Sequence, residues 1–429
     1  MESLQRVLNG LRRSLDAPSR TPRMAVVIGR LLAVAFLLCF GTGLFSHFLQ
    51  NPLPWMVFPT RPVFLYQVTQ GIHITAGILC FPLLLAKLYI VFPQLFQTPP
   101  VRSFPHFLER ASIAVFVSTS IVQIVTGLLN TYQWYALFPF PFRQTHYALS
   151  FVIVGSLAIH IAVKLDVIAK HWRRAAPAEP SVAEPTEPAK EGSTAPARPT
   201  LTSSPTRNAV IRVEGVTGRV FDWIDATPRP EPRTSRRGFL AIVGVASAAV
   251  VALTAGQSFR LLDGTNVFGP RKQGVGPNSL PVNRTATAAK VRAAASDPDW
   301  ALTVSNGPTT ATFTRAELLA LPQHVVELPI ACVEGWSQTA TWKGVRLGDL
   351  VDSVGARGGS SIKATSLEQN SSYAIMHMGP EYVRDDLTLV ALELNGETLD
   401  LDHGFPARMI APGRPGVLQT KWLSSLEVL

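Results

Sequence analysis

The cysteines and histidines of this chain are the residues best suited to bind a metal or take part in redox chemistry. Two of the three cysteines, Cys39 and Cys80, lie inside long apolar runs, so a disulfide framework is excluded. Cys332 stands alone in the more polar last third of the chain. A lone cysteine is usually inert packing, so the residues around Cys332 must decide whether it has a chemical function.

Three histidines, His73, His146 and His160, lie within or at the start of apolar segments, where a polar side chain indicates function. His146 and His160 are fourteen residues apart, which returns to nearly the same helix face after ~21 Å. His73 and His146 are expected at the same depth, so they are the candidate pair of axial ligands for one haem b. His160 is a further candidate haem ligand, but position 87, fourteen residues after His73, is a lysine, so a second haem is not favoured. The alternative is that these histidines only hydrogen-bond neighbouring helices.

Five segments are long enough to cross a bilayer, which takes ~20 apolar residues. Basic residues are concentrated before the first segment and after the fourth, whereas the two loops expected outside carry only Arg61 and Arg143. This distribution predicts a cytoplasmic N-terminus, and it relates the net charge of +10 to membrane orientation rather than to nucleic acid. The expected spans are Met24–Phe48, Phe64–Phe92, Ala111–Leu129, Tyr147–Val163 and Gly238–Gly256.

Between residues 173 and 234 the composition changes to Pro, Ala, Glu, Ser and Thr, which cannot bury enough apolar surface to fold. We expect a disordered cytoplasmic linker here, with a short ordered piece around Val210–Ile224. The run Ser-Arg-Arg-Gly-Phe-Leu at residues 235–240 resembles the twin-arginine export signal. The alternative is that the two arginines only mark the inner side of a span. No small-residue cleavage site follows the apolar stretch, so residues 235–258 are expected to remain as an anchor.

The last part of the chain, residues 259–429, has the signals of a compact α+β domain. Thr314 and Glu317 have the spacing of a capping box before a short helix, and Asn395-Gly396 is a hairpin turn signal. The predicted fold is therefore multi-domain. A basic cytoplasmic tail (residues 1–23) leads to an all-α transmembrane four-helix bundle (24–172), then the linker, a fifth anchor helix and an extracytoplasmic α+β domain.

Several motifs of the last part occur together and in one order. Leu-Pro-Ile-Ala-Cys-Val-Glu-Gly-Trp-Ser at residues 328–337 continues through residues 342–350. Asp-His-Gly-Phe-Pro-Ala-Arg follows at residues 402–408, and Lys-Trp at 421–422. Over most of residues 281–429 this order resembles the sulfite oxidase family of molybdopterin enzymes. The resemblance implies that residues 259–429 form a sulfite-oxidase-type molybdopterin-binding catalytic domain.

The same resemblance implies functions for individual residues. Cys332 matches the family's thiolate ligand to molybdenum, and a soft thiolate suits such a metal. His403 and Arg408 match a pair that contacts the cofactor, and Lys421 matches a basic position near the pterin phosphate. Charged nitrogens of this kind are natural partners for a phosphate. Two further residues, Asn283 and Arg284, correspond to a loop that leads to the cofactor.

One departure bears on the substrate. Enzymes of the sulfite-oxidising branch resemble Cys-x-Gly-Asn-Arg-Arg after the ligand, whereas here Gly335 is followed by Trp336 and Ser337. The run Cys332–Ser337 is similar instead to the catalytic subunit of the bacterial periplasmic protein-methionine-sulfoxide reductase. That enzyme is also exported by the twin-arginine route. The four-span unit resembles membrane cytochrome b subunits, which implies haem b.

The sequence thus predicts a membrane-bound, molybdopterin-dependent oxidoreductase in a bacterial plasma membrane. We expect it to exchange electrons between a sulfur-containing substrate and the membrane quinone pool through haem b, with reduction of an S-oxide favoured. Oxidation of sulfite, or of a related sulfur compound, is the alternative reaction. A non-catalytic binding module that retains the molybdopterin fold is the alternative of another class. The expected partners are quinone, a small or protein-bound sulfur substrate and the twin-arginine export machinery, and no nucleic acid.

Overall fold

The computed structural model of the chain describes residues 17–96, 101–138, 140–172, 235–356, 358–369 and 371–429. The basic tail before residue 17 and the expected linker from residue 173 to 234, including the piece around 210–224, lie outside the described residues.

Five helices in the described part are long and apolar enough to cross a membrane. Each contains most or all of one of the segments expected from the sequence. Thr21, Ser103 and Ser235 cap the first, third and fifth helices, because each side chain accepts a backbone N–H from the first turn. The helices are α1 (Pro22–Gln50), α2 (Leu65–Val91), α3 (Phe104–Thr131), α4 (Phe142–Val163) and α5 (Arg236–Thr254), with a short helix, Leu165–Lys170, directly after α4.

The five long helices form one bundle, in which α1 packs against α2, α3 against α4, and α5 against α2. Phe239 and Val243 of α5 lie in the same apolar cluster as Met24 of α1 and Ile90 of α2. The Arg236 Nε–H also donates a hydrogen bond to the Pro18 carbonyl at 3.2 Å. Helices α1 and α5 therefore begin at the same end of the bundle.

In its described residues, the C-terminal domain contains two five-stranded sheets and four short α-helices. One sheet has the order β2-β1-β10-β5-β6 and the other β3-β4-β7-β8, with β9 also paired to β7. Only the β1–β10 pair is parallel among the described strand pairs. The strands are β1 (Ala301–Asn306), β2 (Thr309–Thr314), β3 (His324–Ala331), β4 (Ser337–Arg346), β5 (Ile362–Ser366), β6 (Ile375–Met378), β7 (Leu389–Leu394), β8 (Glu397–Thr398), β9 (Arg408–Ile410) and β10 (Leu423–Val428). The helices are α6 (Arg292–Ala295), α7 (Arg315–Ala320), α8 (Leu347–Asp352) and α9 (Pro380–Val383).

Strand alternation builds the core of this domain. Leu302 and Val304 of β1 are fully buried while their neighbours are partly exposed, as expected for a strand with one face in the core. They share one apolar cluster with Val390 and Leu392 of β7, which belongs to the other sheet, so the two sheets enclose a common core. The capping box of Thr314 and the Asn395-Gly396 turn both form where the sequence predicts them.

The C-terminal domain lies on the end of the bundle opposite to the start of α1 and α5. Arg61, in the loop between α1 and α2, forms a two-bond ion pair with Asp385 at 2.6 and 3.0 Å. The loop between α3 and α4 also contacts the domain, where the Gln133 amide donates to the Asn283 carbonyl at 2.8 Å. The domain is thus held from two separate loops, and this fixes which of its surfaces faces the helices.

Candidate active site and haem site

Cys332 occupies a tight turn between β3 and β4. Its backbone N–H donates to the Trp336 carbonyl at 2.8 Å, and the Gly335 N–H donates back to the Cys332 carbonyl at 3.0 Å. Gly335 has a φ of +98°, which L side chains rarely adopt, and a Cβ there would lie 3.0 Å from Ile74 of α2. Glycine therefore permits both the turn and its close approach to the membrane helix. We call residues 332–336 the cysteine loop.

The Cys332 thiol is buried, with 1% of its surface exposed. Burial, followed by the nearby Glu334 carboxylate, raises its pKa well above the ordinary value for cysteine. A buried thiol of this kind is not a free nucleophile in the protein alone. It becomes a thiolate where a metal replaces the proton, because coordination keeps the sulfur deprotonated.

A buried cation lies close to the cysteine. Arg408 is 2% exposed, and burial lowers its pKa to about 9. Its guanidinium donates to the His403 carbonyl at 3.0 Å and stacks on the Trp342 ring at 4.9 Å. No carboxylate of the described residues lies within ion-pair distance of it. A buried charge without a counter-ion is costly, so this position suits an anionic ligand.

Lys421 provides a second cation. Its ammonium donates to the Asn283 side chain at 3.0 Å, the Arg284 carbonyl at 2.5 Å and the Asp402 carbonyl at 2.9 Å. Burial, followed by the positive charge of Arg408, lowers the pKa of Lys421 to about 7. Arg284 itself pairs with the buried Glu368 at 2.6 Å. The predicted residues Asn283, Arg284 and Lys421 are therefore together in space.

His403 is placed differently from the other predicted contacts. Its Nε2–H donates to the Pro277 and Leu280 carbonyls at 2.9 and 3.0 Å, so the ring holds the segment before Asn283. Burial, followed by the charges of Arg408 and Lys421, lowers its pKa to about 4. His403 does not line the cavity beside Cys332, although its backbone carbonyl fixes Arg408.

A cavity of about 60 Å³ connects these groups. It is lined by Cys332, Arg408, Lys421, Asn283, Arg284 and Tyr373, among others. Several of its lining residues also line a much larger cavity, of about 2330 Å³, which runs through the helix bundle. A thiol able to bind a soft metal, the buried Arg408 guanidinium and the Lys421 ammonium are groups suited to hold a metal on an anionic, phosphate-bearing cofactor.

The membrane domain contacts the cysteine loop directly, which the sequence did not predict. The Asn130 amide of α3 and the Gln70 amide of α2 both donate to the Val333 carbonyl, at 3.2 and 3.4 Å. Tyr135, between α3 and α4, contacts the Glu334 carboxylate at 3.4 Å. Gln70 and Asn130 are 4% and 7% exposed. In the sequence, Gln70 and Asn130 could have been noticed as polar side chains near the ends of apolar spans.

His73 and His146 face each other inside the bundle, as the sequence predicts. Their ring centroids are 6.4 Å apart. Two imidazoles on opposite sides of one metal ion have centroids roughly 6 Å apart, because each metal–nitrogen bond is about 2.0 Å. His73 Nδ1 lies 2.8 Å from the Cys39 carbonyl, so Nε2 is the ring nitrogen that remains available to a metal. Both histidines line the large cavity, which has ample volume for a haem.

His160 is not brought to this pair. It lies fourteen residues further along α4, about 21 Å away along the axis, and stacks on Phe116 at 6.1 Å. Its charged neighbours are Lys87, Lys164 and Glu109.

Two family matches correspond to the two halves of the structure. Residues 288–429 match the family described as oxidoreductase molybdopterin binding domain. Residues 20–175 match the family described as prokaryotic cytochrome b561.

The chain is also similar to individual proteins over part of its length. The chain is 31% identical over 159 residues to the mitochondrial sulfite oxidase of Drosophila melanogaster, covering 30% of this chain and 27% of that protein. It is 27% identical over 120 residues to the uncharacterised oxidoreductase YuiH of Bacillus subtilis (strain 168), covering 26% and 55%. Among solved structures, the sulfane dehydrogenase SoxCD from Paracoccus pantotrophus is 25% identical, covering 30% of this chain and 38% of that one, with a TM-score of 0.28.

The chain spans between 18% and 29% of the length of the first three sulfite oxidases that it matches. The two family matches indicate the cofactors. These are molybdenum-molybdopterin for the C-terminal domain and haem b for the helix bundle. By its two parts, the chain is similar to the sulfite oxidase family of molybdopterin oxidoreductases and to membrane domains of the cytochrome b561 type.

Proposed function

We propose that this protein reduces an S-oxide, including methionine sulfoxide in exported proteins, with electrons taken from the membrane quinone pool through haem b. The observation that carries the proposal is the contact between the cysteine loop and α2. Gln70 binds this loop, and His73 lies three residues further along the same helix, a rise of about 4.5 Å. This contact supports a close approach of the proposed molybdenum and haem sites within one chain.

The proposed reaction balances as R₂SO + 2H⁺ + 2e⁻ → R₂S + H₂O. Oxidation of one quinol to quinone supplies the two electrons and releases two protons. When bound, the molybdenum cofactor supplies two-electron oxygen-atom exchange with the substrate, and the protein supplies ligation, orientation and electrostatics.

Each predicted site residue has a proposed function. Cys332 ligates molybdenum, while Arg408 and Lys421 balance the negative charge of the cofactor. Asn283 and Arg284 position Lys421 and border the cofactor. His403 positions the 277–280 segment through its ring and Arg408 through its backbone carbonyl. His73 and His146 would bind the haem b iron, and His160 is the weaker third candidate.

The substrate preference rests on the cysteine loop. The two residues directly after Gly335 are Trp336 and Ser337, not arginines. Both are buried, with 3% and 4% of their surface exposed. The C-terminal domain therefore offers less positive charge to a sulfur oxyanion than the sulfite-oxidising pattern would. Sulfite oxidation, with electrons passed to the membrane, remains the second candidate because the sulfite oxidases are among the matched relatives. A non-catalytic binding module would leave the buried thiol and cations without a function.

The proposed location is a bacterial plasma membrane, with the domain boundaries expected from the sequence. The start of α1 and the start of α5 would face the cytoplasm, where the residues at 235–240 would engage the twin-arginine machinery. The C-terminal domain would then lie outside, after export in folded form with its cofactor.

The test uses the full chain, purified in detergent, with molybdenum and haem contents measured. The haem is reduced, excess reductant is removed and methionine sulfoxide is added. The proposal predicts that the haem absorbance returns to the oxidised form, and that a Cys332→Ser variant with the same haem content stays reduced. Reduction of oxidised haem by sulfite, with no response to the sulfoxide, would reverse the direction. A chain without molybdenum would support the binding module. Reduction of the haem by a water-soluble quinol tests the quinone link.

A further inference from the structure

The two loops expected outside the membrane carry only two basic residues, Arg61 and Arg143, and both side chains reach the C-terminal domain. Arg61 forms a two-bond ion pair with Asp385, and this ion pair joins the membrane domain to the C-terminal domain. Arg143 has a different environment. No carboxylate of the described residues lies within ion-pair distance of it, and an ion-pair link therefore does not account for its position.

Arg143 lies in the first turn of α4 and points toward Tyr373. Its Nη1 is 3.4 Å from the Tyr373 hydroxyl and 3.5 Å from the Gln50 side-chain oxygen. Both distances are at the long end of the hydrogen-bond range, so both contacts are weak. A guanidinium has five N–H donors in a planar fork, and these two contacts leave most of that capacity for another acceptor.

The cavities show where such an acceptor would lie. Arg143, Tyr373 and Glu334 line the large cavity at the boundary between the two domains. Tyr373 also lines the small cavity that contains Cys332. Tyr373 therefore borders both the space that contains Arg143 and the space that contains the cysteine.

We infer that the membrane domain completes the substrate site, with Arg143 and Tyr373 binding the oxygen atom of an S-oxide or a sulfur oxyanion. Arg143 provides from α4 the positive charge that the cysteine loop lacks after Gly335. The inference rests on the proposed function for its substrate class, and it adds the prediction that the C-terminal domain alone has an incomplete site.

The experiment compares Arg143→Gln and Arg143→Lys with Arg61→Gln in the full chain loaded with both cofactors. Arg61→Gln is the matched control, because it removes the other outer-loop arginine that contacts the C-terminal domain. Two readouts are taken. The first is KM and kcat for haem reoxidation by methionine sulfoxide and for haem reduction by sulfite, and the second is the affinity for sulfate, a non-reacting oxyanion, measured by calorimetry.

We expect Arg143→Gln to raise KM or weaken sulfate binding by about tenfold to a hundredfold, because a charged hydrogen bond is lost. Arg143→Lys keeps the positive charge, so its KM and sulfate affinity should lie between those of wild type and Arg143→Gln. Haem spectrum and molybdenum content should be unchanged in all three variants, and Arg61→Gln should keep the wild-type KM. A higher KM for methionine sulfoxide in Arg143→Gln assigns the site to S-oxides. A higher KM for sulfite together with weaker sulfate binding, but an unchanged KM for methionine sulfoxide, assigns it to oxyanions.

Failure of the two proposals is distinguishable. If wild type turns over neither substrate but binds sulfate through Arg143, the proposed reaction is wrong and the binding site stands. If Arg143→Gln matches wild type in KM and sulfate affinity, or Arg61→Gln causes the same loss, the inference about Arg143 is wrong while the reaction stands. A wild-type chain that neither turns over nor binds sulfate overturns both.

Discussion

Gly43, on α1, faces the ring of His73. A Cβ built at Gly43 would lie 2.6 Å from His73 Cε1 and 2.8 Å from Nδ1. Ordinary contact begins near 3.4 Å, so a Gly43→Ala substitution requires a displacement of about 0.8 Å (3.4 − 2.6 Å). A ligand ring must be held within about 0.5 Å of its productive position, so we expect this substitution to disturb haem ligation.

The packing free energy also predicts that Gly43→Ala disturbs the site. The His73 ring cannot move away freely, because its Nδ1 is 2.8 Å from the Cys39 carbonyl. Overpacking at a well-filled position costs roughly 1–3 kcal/mol, whereas replacing a helical glycine by alanine gains about 0.5–1 kcal/mol. Gly41 is the matched control, since it lies on the same helix and a Cβ there meets nothing within 4 Å. Gly41→Ala should therefore be neutral or slightly stabilising.

The assay is the haem-to-protein ratio of purified full-length chain, together with the reduced-minus-oxidised spectrum. We expect Gly43→Ala to lower the haem content or shift the spectrum, while Gly41→Ala retains the wild-type values. Equal haem content and identical spectra in the two variants would refute the assignment of His73 as a haem ligand.

Three further predictions concern the domain contact and the C-terminal domain. Asn130→Leu removes a hydrogen bond to the Val333 carbonyl and should loosen the cysteine loop by about 1 kcal/mol, seen as faster hydrogen exchange at residues 332–336. Thr119→Val, whose side chain bonds only within α3, should leave that exchange unchanged. Trp342→Ala empties a fully buried position and should destabilise the C-terminal domain by roughly 3–5 kcal/mol, measured as a lower Tm. His403 has a folded pKa of about 4 against about 6.5 in an unfolded chain, so the unfolded state binds the proton first as pH falls. Its stabilising contribution, up to about 3 kcal/mol, is complete above pH 6.5 and is lost toward pH 4, and His403→Asn should flatten that part of the Tm profile. A pH profile that is the same in the variant would contradict this assignment.

Much of the fold could be predicted because its signals are local. Long apolar runs identify the spans, and the Thr314 capping box and Asn395-Gly396 turn depend on residues close in sequence. The pairing of His73 with His146 also follows from depth, since both lie at the same end of helices that run in the same direction.

The contact between the domains could not be predicted in this way. Gln70 and Asn130 bind the Val333 carbonyl across 263 and 203 residues of sequence, and a backbone acceptor has no sequence signature. The resemblance matches His403 to a cofactor contact, and it gives no indication that the ring also donates to the Pro277 and Leu280 carbonyls. Which side of a buried ring is used depends on the chain segment that packs against it.

The most direct test of the account is whether electrons pass between the two redox sites within one chain. Fully reduced protein is mixed with excess methionine sulfoxide at several protein concentrations, and haem reoxidation is followed by rapid mixing. The account predicts a first-order rate constant that does not change with protein concentration and is lost in Cys332→Ser. A rate proportional to protein concentration, or one unchanged in Cys332→Ser, would contradict it.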